Sequence, residues 1–210
     1  MILNIEQKDF GQEPLFEIKN AKTNEKIAKC TSMNRVQTTI RFTDGEEYSI
    51  SFEPVLMEKE NDKNKMLYVI SENGRAVGGI EQAEVQQKKI LFVSVGYDYF
   101  QIHFHDSEYE LYEIGLGENQ HYLCIRQGET TVAIVHKPME VKSHLDTYVV
   151  YLEYESYKEI ACIAALFIDG LEYSSDDEIA GSRIKEEYLS FNKELKEKFD
   201  LEFLERVKNQ

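Results

Sequence analysis

The stretch Ile160-Ala-Cys-Ile-Ala-Ala-Leu-Phe-Ile168 restricts the fold of this 210-residue chain more than any other. Nine consecutive apolar residues leave no polar face at the helical or the strand period, so the segment has to be covered on every side. It is also less than half the roughly 20 apolar residues that a membrane-spanning helix needs. Ser156-Tyr-Lys-Glu159 leads into it and Asp169-Gly170 ends it, where a glycine can supply the left-handed residue that closes a helix. Periodicity alone does not separate a helix from a short buried strand here, but the adjacent alanines 164 and 165 and these flanks favour helix. The small residues Ala161, Cys162, Ala164 and Ala165 let neighbouring backbone come close. A helix without a wet side, arriving after a long run of strands, predicts a β-barrel wrapped around it over residues 157–169. Its structural core would be Ile160, Ile163, Leu166 and Phe167.

The residues before that helix read as strands. Val36, Thr38, Ile40 and Phe42 alternate with polar residues, Asp44-Gly45 supplies a hairpin turn, and Tyr48, Ile50 and Phe52 resume the alternation. The same period of two runs through Phe100, Ile102 and Phe104, through Thr130, Val132 and Ile134, and through Thr147, Val149 and Tyr151, each set taken as facing inward. Strands are expected near 14–19, 25–31, 36–42, 46–53, 66–71, 75–80, 89–95, 99–106, 108–115, 121–127, 130–138 and 146–154, with residues 1–5 as a short edge segment. Turn residues such as Asn73-Gly74 and Gln127-Gly128-Glu129 punctuate them, and 58–65 reads as a charged loop. Twelve short strands with so few interruptions fit one closed barrel or a sandwich, and the all-apolar helix favours the barrel. The expected class is therefore mainly β: a 12-stranded antiparallel closed barrel around a buried apolar helix, spanning residues 1–172.

Residues 174–210 form a C-terminal helical extension of a different character, packed on the barrel or projecting from it. Ser175-Asp-Asp-Glu178 reads as a capping box, and Ile184, Tyr188, Phe191 and Leu195 make an amphipathic stripe that Phe199, Phe203, Leu204 and Val207 continue. Asp200 marks a kink or a division into two shorter helices.

Charge narrows the partners. Thirty-nine acids against 24 basic residues give a net charge of −15, which weighs against nucleic acid and against a polybasic grip on anionic lipid. The start of the chain does not read as a secretory signal. The three cysteines, Cys30, Cys124 and Cys162, are odd in number, far apart and without CxxC spacing, so they read as buried apolar residues in a cytoplasmic protein.

Little in the sequence carries chemistry. His103 and His105 stand two apart with Asp106 beside them, a spacing that puts both imidazoles on one side of a strand. His121, His136 or His144 could complete a metal site, but the pair is read first as lining the polar outer face of a barrel strand. Asp44, Glu46 and Glu47 at a hairpin turn read as solvated surface charge, although paired carboxylates can do acid–base work. Gly78-Gly79 and Gly115-Leu-Gly117 read as turns or bulges, because neither opens a helix in a phosphate loop. No GxSxG or HExxH motif is present, and no cofactor, metal or catalytic residue is expected.

The segment Asp146-Thr-Tyr-Val-Val-Tyr-Leu-Glu-Tyr-Glu-Ser-Tyr-Lys-Glu-Ile-Ala-Cys-Ile-Ala-Ala-Leu-Phe-Ile-Asp169 resembles the end of a tubby-like C-terminal domain, and most closely the LURP-one-related group. That fold is shared with the phospholipid scramblases. Phe16-Glu-Ile18, Gly74 with Ala76-Val77, and Thr131-Val-Ala-Ile-Val-His-Lys137 agree with it in order. The resemblance covers about residues 14–170 and implies twelve strands around a central helix. Tubby's basic phosphoinositide cluster is not matched, since Lys19, Lys22, Lys26, Lys29, Arg35 and Arg41 are interleaved with acids. The scramblases' acidic calcium segment is not matched either, with only Glu153, Glu155 and Glu159 in its place. The expectation is a non-enzymatic binding or regulatory module with an unknown protein or lipid partner and no integral membrane segment. The alternatives are a peripheral phospholipid binder, or a small-ligand or metal-dependent enzyme using His103 and His105.

Overall fold

Alternation of apolar and polar residues becomes alternation of inside and outside along most of the chain. In the computed structural model, which describes residues 1–9, 13–33, 36–53, 67–85, 96–138, 145–173 and 187–210, twelve strands form the barrel. They are β1 (Ile2–Asp9), β2 (Leu15–Asn20), β3 (Lys26–Met33), β4 (Gln37–Phe42), β5 (Glu47–Phe52), β6 (Leu67–Glu72), β7 (Arg75–Val85), β8 (Tyr97–Phe104), β9 (Ser107–Glu118), β10 (His121–Gln127), β11 (Thr130–Lys137) and β12 (Thr147–Leu152). Each pairs antiparallel with its sequence neighbours, and β12 pairs back to β1, with Ile2 opposite Tyr151 and Ile5 opposite Tyr148. The result is an up-and-down meander closed on itself, an arrangement that leaves the barrel no unpaired edge.

Two local sequences let the wall close. Asn73 and Gly74 both take positive φ, 46° and 80°, as the tight turn between β6 and β7 requires. At Gly78 a Cβ would lie 2.0 Å from the His103 carbonyl oxygen, so β7 meets β8 at a distance that only glycine allows.

The count of twelve agrees with expectation, but its membership does not. Residues 1–5 are not an edge: β1 is eight residues long and hydrogen-bonded on both sides, and it closes the barrel. The strand expected near 89–95 lies outside the described residues, and β7 pairs directly with β8. Val36 precedes β4 and is 63% exposed, so the inward set of that strand starts at Thr38.

The lumen is filled by helix α1 (Lys158–Ile168), entered through a 3-10 turn and left through a π turn at Asp169–Tyr173. Every residue from Ile160 to Ile168 is buried in one continuous core with the inner faces of the strands. Phe167 meets Tyr68 and Phe100 edge-on, with ring centroids 4.9 and 5.0 Å apart. Full burial of each Ile, Leu or Phe contributes about 1.5–3 kcal/mol, so this helix is the main filling of the barrel.

The C-terminal segment is helical in two pieces, α2 (Lys193–Lys196) and α3 (Leu201–Lys208), separated around Asp200. Asn192 caps the first through Leu195 N at 3.1 Å, and Asp200 caps the second through Phe203 N at 2.8 Å. Before them, β13 (Glu187–Leu189) adds to the overhanging end of β9. The stripe drawn as one helix is therefore interrupted: Tyr188 lies in a strand, and Phe191 is 88% exposed. Ser175, Glu178 and Ile184 lie outside the described residues.

Helices α2 and α3 cover the outer face of β9–β12. Leu195, Phe203, Leu204 and Val207 form a second apolar cluster with Tyr112, Ile114, Cys124, Ile134 and Tyr151. This corrects the inward set expected for two strands. On β12, Tyr148, Val150 and Leu152 face the lumen, whereas Val149 and Tyr151 join the outer cluster. Ile134 of β11 likewise points out, because a register shift opposite Ile125/Arg126 puts both Val132 and Ala133 in the inner core. Both faces of these strands are apolar, so a period of two could not tell inside from outside.

Candidate functional site

The histidine pair is separated by backbone geometry. His103 lies on β8 with its Nδ1 2.6 Å from Glu108 of β9, half-exposed. His105 falls in the turn after the strand, with φ of 52°, and its ring lies against Phe104. The alternation that would align the two imidazoles ends at Phe104. His121 is fully buried on β10 beside Glu113, at 3.0 Å, and His136 on β11 meets the Asn119 carbonyl at 2.9 Å. His144 lies outside the described residues. Among the described residues no three His, Cys, Asp or Glu side chains converge as a metal-binding group.

The hairpin carboxylates also have separate engagements. Asp44 pairs with Lys158 at 2.8 Å, Glu47 with Arg41 at 2.5 Å, and Glu46 accepts from the Tyr48 hydroxyl at 3.5 Å. Lys158 also lies 3.3 Å from Glu159, whose carboxyl is pushed up by burial against that nearby cation. These contacts hold the N-terminal end of α1 in the barrel mouth. The thiols are equally committed: burial raises Cys30 and Cys124, and pushes Cys162 up to about 12, so all three stay protonated and weakly nucleophilic.

A polar constellation sits at the other end of α1. Lys137, at the inward-facing end of β11, donates to Asp146 and to the Tyr148 hydroxyl at 3.2 Å, with its ammonium 4.6 Å from the centre of the Tyr148 ring. Tyr148 in turn donates to Asp169, the first residue beyond α1. Asp146 is fixed by two bonds to Gln7 of β1, each 2.9 Å. Lys137 and Asp169 are almost fully buried, so each charge is compensated within the protein. Three strands and the helix meet here, and the arrangement locks the helix in register. The signal for it was present in the sequence. Lys137 is in phase with the inward residues Ala133 and Val135, and a cation at an inward position demands a buried partner.

The outer wall carries an open cleft of about 440 Å³ over β2–β4, lined by Leu15, Lys26, Lys29, Thr31, Arg41 and Thr43. Two of its three cations are neutralised, Lys26 by Glu17 and Arg41 by Glu47, each at 2.5 Å. Among the described residues Lys29 has no acidic partner. The cleft can hold a small polar or anionic group on the barrel's surface; Cys30, which also borders it, is buried and its thiol is held protonated.

Against this geometry, no family model, no curated protein and no solved structure matches the chain. Among the described residues no helix is long and apolar enough to cross a membrane.

Proposed function

We propose that the protein is a non-enzymatic binding or regulatory module of tubby-like, LURP-one-related type, cytoplasmic, engaging a protein or lipid partner through the outside of its barrel. One observation carries the reading: α1 fills the lumen with nine consecutive buried residues. An open-barrel carrier needs that space as its cavity, so any ligand of this barrel sits on its outside or at a mouth. A plugged barrel leaves its wall and rims for recognition. The outer cleft over β2–β4 is the recess that the reading assigns to a partner.

Native mass spectrometry of the full chain purified without an affinity tag, combined with metal analysis, tests the reading. The expected result is the bare chain mass. A retained small molecule overturns it, and so does stoichiometric metal that disappears in His103→Ala. Flotation with phosphatidylcholine vesicles, with and without phosphatidylserine, then separates the two partner classes. Binding that Lys29→Glu abolishes assigns lipid to the cleft, and absence of flotation leaves a protein partner.

A further inference from the structure

The outer face of β9–β12 is an apolar surface that the barrel does not need in order to close. Its cluster is distinct from the core around α1, with the sheet lying between them. All twelve barrel pairings are made without residues 187–210. The cover consists of helices of four and eight residues, both too short to hold helical structure in water on their own. Its backbone attachment is the three-residue ladder of β13 on Leu116–Glu118, extended by Ser190 to Gly115 at 2.9 Å. The cover is also imperfect, since among the described residues the buried Nδ2 of Asn192 has no hydrogen-bond partner. Thirteen residues, 174–186, join it to the barrel.

We infer that this face is a docking surface for the C-terminal segment of a second copy of the chain, so that two molecules exchange residues 187–210. The segment's fit to the face is already on view: Leu195, Phe203, Leu204 and Val207 meet Tyr112, Ile114, Cys124, Ile134 and Tyr151. Lys198 and Lys208 lie 5.0 and 5.3 Å from the ring centres of Tyr112 and Tyr151, and Arg206 pairs with Glu153. A second copy brings the identical segment, so exchange remakes every contact without a new one. Each chain's own segment reaches the face without a second molecule, so the docked monomer prevails in dilute solution. Exchange dominates when docking within one chain is disabled.

Complementation between two full-length variants tests this. Ile134→Asp spoils the face and spares the segment; Phe203→Asp spoils the segment and spares the face. Alone, each is expected to be a monomer by light scattering, with the β-sheet signal of the parent chain. Mixed, they are expected to form a 1:1 dimer at twice the 24.5 kDa chain mass, its fraction rising with concentration, through one restored face–segment contact. A mixture of folded monomers at every concentration overturns the inference. If Ile134→Asp does not fold, Cys124→Asp paired with Leu204→Asp gives the same reading. A dimer formed equally well by Ile134→Asp alone also overturns it, because that contact bypasses the face.

Discussion

Strands β2–β6 and strands β9–β12 belong to one continuous ladder, yet they solve different burial problems. The first group buries one side. Ile18, Cys30, Ile40, Ile50 and Ile70 face the helix, while the outside carries ions such as Glu17 with Lys26 and Arg41 with Glu47. The second group buries both sides, α1 within and α2–α3 without. The first region depends on the helix alone, and the second depends on the helix and a separately attached cover. Damage to the plug should therefore be global, and damage to the cover should be local.

The largest effect is expected at the shared element. Ile163 is fully buried at the middle of α1, and an aspartate there places a charge in the lumen without a partner. Ile163→Asp should prevent folding of both regions together. A soluble variant with unchanged melting temperature would show that the helix does not hold the barrel.

Next comes the lock at the end of that helix. Lys137→Met removes the cation that pairs with the part-buried Asp146, which should cost about 3–5 kcal/mol in urea unfolding. Adding Asp146→Leu should recover much of the loss, because an apolar pair replaces a charge left without its counter-ion. If the double variant is no more stable than Lys137→Met, the lock is not an ion-pair device.

Leu204→Ala probes the cover. Leu204 is buried in the outer cluster, and its truncation should cost about 2–5 kcal/mol at that contact. The comparison becomes sharp in hydrogen exchange. Amides of 195–208 should lose protection, while those of β2–β6 keep theirs, because local opening need not involve the core. Equal loss in both regions would make the cover part of one cooperative unit.

These differences also explain what could be read in advance. Where one side is wet, as at Ile40 and Phe42 or Ile102 and Phe104, alternation gave strand, face and neighbour together. The continuous apolar run of α1 announced complete burial, although only the surrounding strands could say inside what. The runs Leu123-Cys-Ile125, Val132-Ala-Ile-Val135 and Val149-Val-Tyr-Leu152 carried equivalent information, since strands buried on both faces lose their alternation. Seen that way they call for an outer cover, and Leu195, Phe203, Leu204 and Val207 are its complement. The histidine spacing misled because His105 sits at positive φ, which a period of two does not record. The lock joins residues as far apart as Gln7 and Asp169, and only barrel closure through β1 brings them together.

The smallest expected effect is a pH dependence confined to the covered region. His136 is half-buried on β11, 5.1 Å from the Tyr122 ring, which lies 4.6 Å from Phe199 between α2 and α3. Burial holds its pKa below the ordinary 6.5, and the charges of Lys208 and His121 act in the same direction, against a partly compensating bond with the Asn119 carbonyl. The folded chain thus keeps this imidazole neutral at a pH where the unfolded chain already protonates it. Its effect on stability is absent above about pH 6.5 and sets in as pH falls through that value. It is complete once pH has passed below the folded pKa, and its sign is destabilising throughout. Glu159, raised by burial, shifts stability in the opposite sense, so the total profile mixes both. Subtracting the profile of His136→Gln isolates the histidine. Between about pH 8 and pH 5 the parent chain should lose more stability than the variant, and the difference should appear in exchange of the amides of 195–208 before those of β2–β6. Superimposable profiles would remove His136 from the cover's energetics and leave its attachment to the apolar cluster alone.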